Sequence, residues 1–240
     1  MKKEITFFIF LLGSVMQMNA QDTKVIRVPL IGERAPSFTC QTTQGEITFP
    51  DDYGQSWKIL FSHPKDFTPV CSSEMLELAY QQKDYEKLGV KILVLSTDIL
   101  SQHYSWVKAL DEINYKNRGP VKIEFPIASD ADLTISNEYG MIHPAASITR
   151  NVRGVFIIDP TNKIRYVNFY PMEVGRNLDE IKRTVIALQT VYTGQIVHTP
   201  ANWQPGDQVM LPVLSKSEKE NAGGSGSAVE EVSWFMNFSK

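Results

Sequence analysis

The sequence predicts an α/β protein in which a mixed β-sheet carries helices on both faces. Three observations predict it. Strand-like and helix-like segments alternate through most of the chain. Two of the strand-like runs, Lys58–Ser62 and Val90–Thr97, are apolar nearly throughout, the pattern of strands buried within a sheet. The last two strand-like runs follow one another with only a turn between them, which adds an antiparallel pair to an otherwise alternating order.

The elements read in order as follows. "SFTCQTTQGEITF" is a hairpin with Gln44-Gly45 at its tip. "WKILFSHP" is a buried strand stopped by Pro64, since proline removes a ladder donor. From Cys71 to Leu88 the pattern turns helical, with Met75, Leu78 and Ala79 on one face and Gly89 as its end. After the strand from Val90, "SQHYSWVKALDEI" predicts a second helix capped by Ser101. "FPIASDADLTISNEYG" gives a short strand, a turn and a helix ending near Gly140. A hairpin follows: strand Val155–Ile158, turn Asp159-Pro160-Thr161-Asn162, strand Ile164–Tyr170. "NLDEIKRTVIALQT" closes the series as a helix with an apolar stripe at Leu178, Ile181, Val185 and Leu188.

Both ends differ from this core. The chain opens with Lys2 and Lys3, runs apolar from Ile5 to Leu12 and reaches Asn19-Ala20, the layout of a secretory signal peptide over residues 1–20. The apolar run falls short of the roughly 20 residues that span a bilayer. Cleavage after Ala20, export to a periplasmic or extracellular space, and no membrane attachment thereafter are expected. From Val191 onward Pro200, Pro205, Gly206 and Pro212 break the pattern, and "NAGGSGSAVEE" reads as a loop. The last stretch, "VSWFMNFSK", is apolar again, so Trp234, Phe235 and Phe238 are expected to pack on this subunit or on a partner. The organisation is therefore a signal peptide at 1–20, a main domain at 21–190 and a C-terminal extension at 191–240.

Composition removes several function classes. A net charge of −3 spread over both signs favours neither nucleic acid nor an anionic membrane surface. Two cysteines make no disulfide framework, and His63, His103, His143 and His198 show no metal-ligand spacing. No metal or cofactor is expected.

The chemistry concentrates in "HPKDFTPVCSSEM". A free thiol is mostly protonated at neutral pH, and bringing one to a value near 6 takes about 3.4 kcal/mol. A helix N-terminus contributes about 0.3–1 kcal/mol, or up to about 2 when partly buried. A nucleophilic cysteine at the start of this helix therefore needs a cation as well, and arginine keeps its charge when desolvated. Thr68, one turn ahead of Cys71, offers a hydroxyl that both accepts and donates. Pro64 has no N–H and shields the sulfur from water. A small, dry, donor-lined pocket around a thiolate suits cleavage of an O–O bond.

"PKDFTPVC" fits the pattern P-x-x-x-T-x-x-C and resembles the peroxiredoxins, thiol peroxidases on a thioredoxin-like fold. "FSHPKDFTPVCSSEM", "FPIASD", "YPMEVGRNLDEI" and "TPANWQPGD" resemble the one-cysteine subfamily, over a span from Pro29 to the C-terminus. The resemblance implies a thioredoxin-like mixed sheet flanked by helices with a smaller C-terminal extension. It implies reduction of hydrogen peroxide and small organic hydroperoxides through a sulfenic acid at Cys71. Thr68 and Pro64 become pocket partners of Cys71. Arg153 becomes the catalytic arginine, with Arg150 as the second candidate. Glu74 and Arg176 match positions that orient this arginine, and His63 matches one near the pocket mouth. A homodimer or a higher ring is implied as well.

No cysteine follows Cys71, and Cys40 stands where the family shows no resolving cysteine. Cys40 is read as a structural thiol, which leaves reduction to an external thiol; two-cysteine-like resolution by Cys40 is the alternative. Two further readings belong to other classes. Some one-cysteine relatives are described as phospholipid esterases that use a serine in G-x-S-x-G. Here the stretch is Gly54-Gln55-Ser56-Trp57-Lys58, and the partner histidine's position is Pro50, so a lipase is not expected. A holdase role in a ring does not depend on the sulfur, and composition does not separate it from a peroxidase.

Overall fold

The computed structural model describes residues 27–192, 194, 196–213 and 229–239. The segment read as a signal peptide and most of the Gly/Ser-rich stretch lie outside the described residues. β1 (Phe38–Thr42) and β2 (Gly45–Phe49) form the N-terminal hairpin in antiparallel register. β3 (Trp57–Ser62), α1 (Pro69–Lys87), β4 (Val90–Ser96), α2 (Leu100–Leu110) and β5 (Ile127–Ser129) follow as two β-α-β units. Their strands pair in parallel, as crossover helices require. Then come α3 (Thr134–Glu138), the hairpin of β6 (Arg153–Ile158) and β7 (Ile164–Tyr170), and α4 (Leu178–Tyr192). The strand order is β2-β1-β5-β4-β3-β6-β7, with β3 to β6 antiparallel.

Side chains of the central strands alternate between two cores. Ile59, Phe61, Ile92, Val94, Val155 and Ile157 face one side, where α1, α2 and α4 cover them with Met75, Leu78, Trp106, Leu110, Ile181 and Val185. Leu60, Leu93, Leu95, Phe156 and Ile158 face the other, against Phe38, Phe49, Ile135 and Tyr139. The helices thus flank both faces unequally, three against the short α3. This division separates the cysteines: Cys71 belongs to the first cluster and Cys40 to the second.

Two helix starts differ from the sequence expectation. α1 begins two residues before Cys71, because Pro69 occupies the first helical position, where its missing N–H costs nothing, and Thr68 is the extended N-cap. α2 begins before Ser101, which lies inside it; Ile99 is the N-cap. The preceding turn is closed by Ser96 Oγ accepting the Asp98 N–H at 3.1 Å, which brings the chain into the helix early.

In the C-terminal extension β8 (Met210–Leu211), β10 (Met236–Ser239) and β9 (Val229–Ser233) form a small antiparallel sheet in that order. Trp234 and Phe235 sit at its β9–β10 turn, edge to face with centroids 5.2 Å apart. They are 71% and 52% exposed, so they do not bury themselves on this subunit. Phe238 is half-buried.

Candidate active site

Cys71 is the third residue of α1, so its sulfur lies in the first turn, where backbone N–H groups lack helical partners. The side chain is buried and forms part of the wall of a cavity of about 230 Å³. Pro64, Thr68, Val70, Arg150, Arg153 and Met172 line it as well.

Arg153, the first residue of β6, reaches this cavity from across the sheet. Its Nη1 donates to Cys71 Sγ at 3.3 Å and to Glu74 Oε2 at 2.7 Å. Nε donates to the Met172 carbonyl at 2.9 Å, and Nη2 donates to the same oxygen. Glu74 lies three residues after Cys71, hence on the same side of α1. It also accepts the Arg176 backbone N–H at 2.7 Å, Nε at 2.9 Å and Nη2 at 2.8 Å. Arg176 Nη1 donates to the carbonyls of Ser62 and Gly154. One carboxylate therefore holds two buried guanidinium groups, one of which also donates to Sγ. Burial works against the charged form of Glu74, but Arg176 and then Arg153 outweigh it and hold the carboxyl below its ordinary range.

Arg150 lines the cavity without touching the sulfur; of the two candidate arginines, the structure brings Arg153 to Cys71. Thr68 lines the same cavity, but its hydroxyl donates to the Lys65 carbonyl at 2.9 Å. Its proton is therefore committed, and only its lone pairs face the cavity. Pro64 is buried at the wall.

His63 does not line the cavity, contrary to the expected place near the mouth. It is fully buried, and its Nε2 donates to Asp66 Oδ1 at 2.7 Å. Asp66 Oδ2 accepts from His103 Nδ1 at 2.6 Å, so one carboxylate bridges two imidazoles. The ring of Trp106 lies 5.0 Å from that of His63, and its Nε1 donates to Ser72 Oγ beside Cys71. The strand-end histidine is drawn inward because this carboxylate and this ring wait there.

Sequence reasoning missed Asp66, His103, Met172, Ser62 and Gly154. Met172 acts through its carbonyl, which no side-chain pattern reveals. Ser62 Oγ donates to the Val152 carbonyl and accepts the Gly154 N–H, both at 2.7 Å, fixing the start of β6. A Cβ on Gly154 would meet that Oγ at 2.9 Å, so the close approach beside Arg153 requires glycine. His103 and Trp106, one turn apart on the buried face of α2, carried the one readable signal. Ser56 has no imidazole partner among the described residues, and Lys58 is committed to the Gly54 carbonyl and Asn162 Oδ1, both at 2.6 Å.

A buried cysteine in a first helical turn, with an arginine on its sulfur and a thioredoxin-like sheet behind it, defines the class: a thiol peroxidase. The comparisons agree. The AhpC/TSA family model matches residues 31–167, and the model for the C-terminal domain of 1-Cys peroxiredoxin matches residues 187–221. A peroxiredoxin of Methanosarcina mazei is 46% identical over 216 residues, 89% of this chain and 98% of that one. A yeast mitochondrial 1-Cys peroxiredoxin, solved in work on thiol resolution through glutathione and thioredoxin systems, superposes with a TM-score of 0.77 at 36% identity, covering 88% of this chain and 99% of that one. A cysteine-to-serine mutant of peroxiredoxin 6 of Arenicola marina gives 0.75 at 32% identity, covering 88% and 97%. The chain belongs to the peroxiredoxin family, with a C-terminal domain of the 1-Cys type.

Proposed function

We propose that this thiol peroxidase is an exported one-cysteine enzyme that reduces hydrogen peroxide and small organic hydroperoxides at Cys71 and is recycled by an external thiol. The observation that carries the reading is the Arg153 guanidinium on Cys71 Sγ at 3.3 Å, held from behind by Glu74. The thiolate attacks the terminal oxygen of the hydroperoxide in line with the O–O bond. That bond breaks, the distal oxygen stays on sulfur as the sulfenic acid, and the leaving alkoxide or hydroxide takes up a proton as alcohol or water. Arg153 stabilises the thiolate and the charge that develops on the oxygens. Thr68 accepts the O–H of the bound peroxide, because its own proton is given to Lys65. Pro64, Val70 and Met172 keep the cavity dry.

An incoming thiol then attacks the sulfenic sulfur. The S–O bond breaks, water leaves, and a mixed disulfide forms; a second thiol releases Cys71 as the thiolate. The place of Cys40 in the opposite core supports this route over an internal disulfide. Homodimerisation is supported by the outer edge of β7, which ends the seven-strand order and is paired by Gly32 and Glu33 only at Ile164 among the described residues, and by the exposed Trp234 and Phe235. Export is supported by the pattern of residues 1–20. The divisions at residues 20 and 190 remain part of the same proposal.

Stopped-flow peroxide consumption tests the central role. Arg153→Ala is expected to slow the oxidation of Cys71 by about 10²–10³-fold, the usual cost of removing a donor aimed at developing charge. Arg153→Lys is expected to restore little, since one ammonium does not reproduce the planar fork. Wild-type rates in Arg153→Ala would remove Arg153 from the mechanism.

A further inference from the structure

The cavity over Cys71 carries two cations that the peroxidase chemistry does not use. Lys65, exposed, and Arg150, partly exposed, line the same wall as Cys71 and Arg153. Among the described residues neither side chain makes a hydrogen bond or an ion pair. Some surface cations are paired, as Lys83 is with Glu124, Lys116 and Arg118 with Glu77, and Arg183 with Glu180. Others, such as Lys108 and Lys163, are exposed and unpaired among the described residues, so what sets Lys65 and Arg150 apart is their place on the wall of the Cys71 cavity. Among the described residues no carboxylate lines the cavity. The nearest acids in sequence lie elsewhere: Asp66 is taken by two histidines, and Glu173 is exposed and outside the lining. The Glu74 charge is spent on Arg153 and Arg176. Hydrogen peroxide is neutral and has no need of such a rim, and cations without partners at a concave mouth attract and orient an anion.

We propose that Lys65 and Arg150 form a recognition rim for a co-substrate that carries a carboxylate close to its reacting atom. This deepens the reading above and rests on Cys71 being the peroxidatic cysteine. The carboxylate belongs either to the hydroperoxide or to the reducing thiol. Each reaches the same sulfur through the same opening, and each meets the rim before it meets Arg153.

Lys65→Ala, Arg150→Ala and the double variant separate these sources, with Lys65→Glu as the charge reversal. In the oxidation arm, a short 2-hydroperoxycarboxylate is compared with its methyl ester, and hydrogen peroxide serves as the uncharged reference. In the reduction arm, preformed Cys71 sulfenic acid meets mercaptoacetate, mercaptoethanol or cysteamine, and the variant-to-parent ratio cancels each thiol's own reactivity. Each cation removed is expected to cost about threefold for the anionic member of a set, and both about tenfold, in line with exposed ion pairs. Raised salt should abolish the difference. The variant-to-parent ratio with hydrogen peroxide is the baseline against which the loss for the anionic hydroperoxide is read. A charge effect in the reduction arm alone assigns the rim to the reductant, one in the oxidation arm alone to the hydroperoxide, and one in both to any carboxylate-bearing partner. Equal variant-to-parent ratios for the anionic and neutral members of the oxidation arm and for all three thiols of the reduction arm overturn the proposal. A parent that hydrogen peroxide does not oxidise at Cys71 overturns the underlying reading, and the rim with it.

Discussion

At the scale of single residues the site turns on Glu74. Among the described residues it is the one anion that touches both guanidinium groups, and it ties the helix that carries the sulfur to the strand that carries Arg153. Glu74→Gln keeps the shape and removes the charge, which leaves two buried cations facing one another. Removing one partner of a buried pair costs about 3–5 kcal/mol, so the urea midpoint at pH 7 should fall accordingly, and peroxide turnover with it. The sign with pH follows from the carboxyl lying below its ordinary value of 4.5. Its contribution is present above that value and is lost as pH falls through the lower, folded one. The gap between wild type and Glu74→Gln should therefore be widest near neutrality and close in acid. A constant gap from pH 7 to pH 3 would mean that Glu74 acts by shape alone. Cys71 and Thr68 were legible in the sequence because a nucleophile at a helix start and a hydroxyl one turn before it are local features. Met172 was not, because its contribution is a carbonyl whose aim depends on the chain beyond β7.

At the scale of elements, the loop between β3 and α1 is pinned to α2 by one buried carboxylate. Asp66 accepts from His63 on its own loop and from His103 on α2. Burial opposes the charged Asp66, but the imidazole N–H groups of His103 and His63 outweigh it and keep the carboxyl below its usual range. For His63 burial dominates and lowers the imidazole's value below 6.5, partly offset by Asp66. The unfolded chain thus takes up a proton near that value while folded His63 stays neutral, so stability falls as pH drops below about 6.5. Asp66→Asn removes the offset and lowers the folded value further. Its thermal midpoint should lie below wild type at pH 7.5 and fall further behind it as pH drops through the folded His63 value of the wild type. Parallel curves for the two proteins would show that His63 does not sense Asp66. The alternation of strands and helices was readable from hydrophobic period. The start of α1 was not, because Pro69 reads as a breaker in a string and acts as a first helical residue in space. The Asp66 bridge was also invisible, since its second histidine lies 37 residues away on another element.

At the scale of the whole molecule, the sheet itself keeps the two cysteines apart. Its seven strands separate two cores, and the two cysteines lie on opposite sides of that wall, both free. The peripheral hairpin was legible from its turn, but the face on which Cys40 falls depends on strand register, which a string of residues does not fix. Burial, with smaller contributions from Asp130 and Glu46, pushes the Cys40 thiol up to about 12. Thiol–disulfide chemistry needs the thiolate, so Cys40 is a poor nucleophile even before distance is considered. A bridge would also require the Cα atoms to come within about 7 Å, which means taking one cysteine out of its core. Cys40→Ser is therefore expected to retain peroxide turnover with a small-molecule thiol, within about twofold of the parent. Intact mass after one equivalent of peroxide should show one added oxygen on Cys71, and not the loss of two hydrogens. If a Cys40–Cys71 disulfide instead forms as fast as peroxide disappears, the sheet must open during catalysis, and resolution would be internal after all.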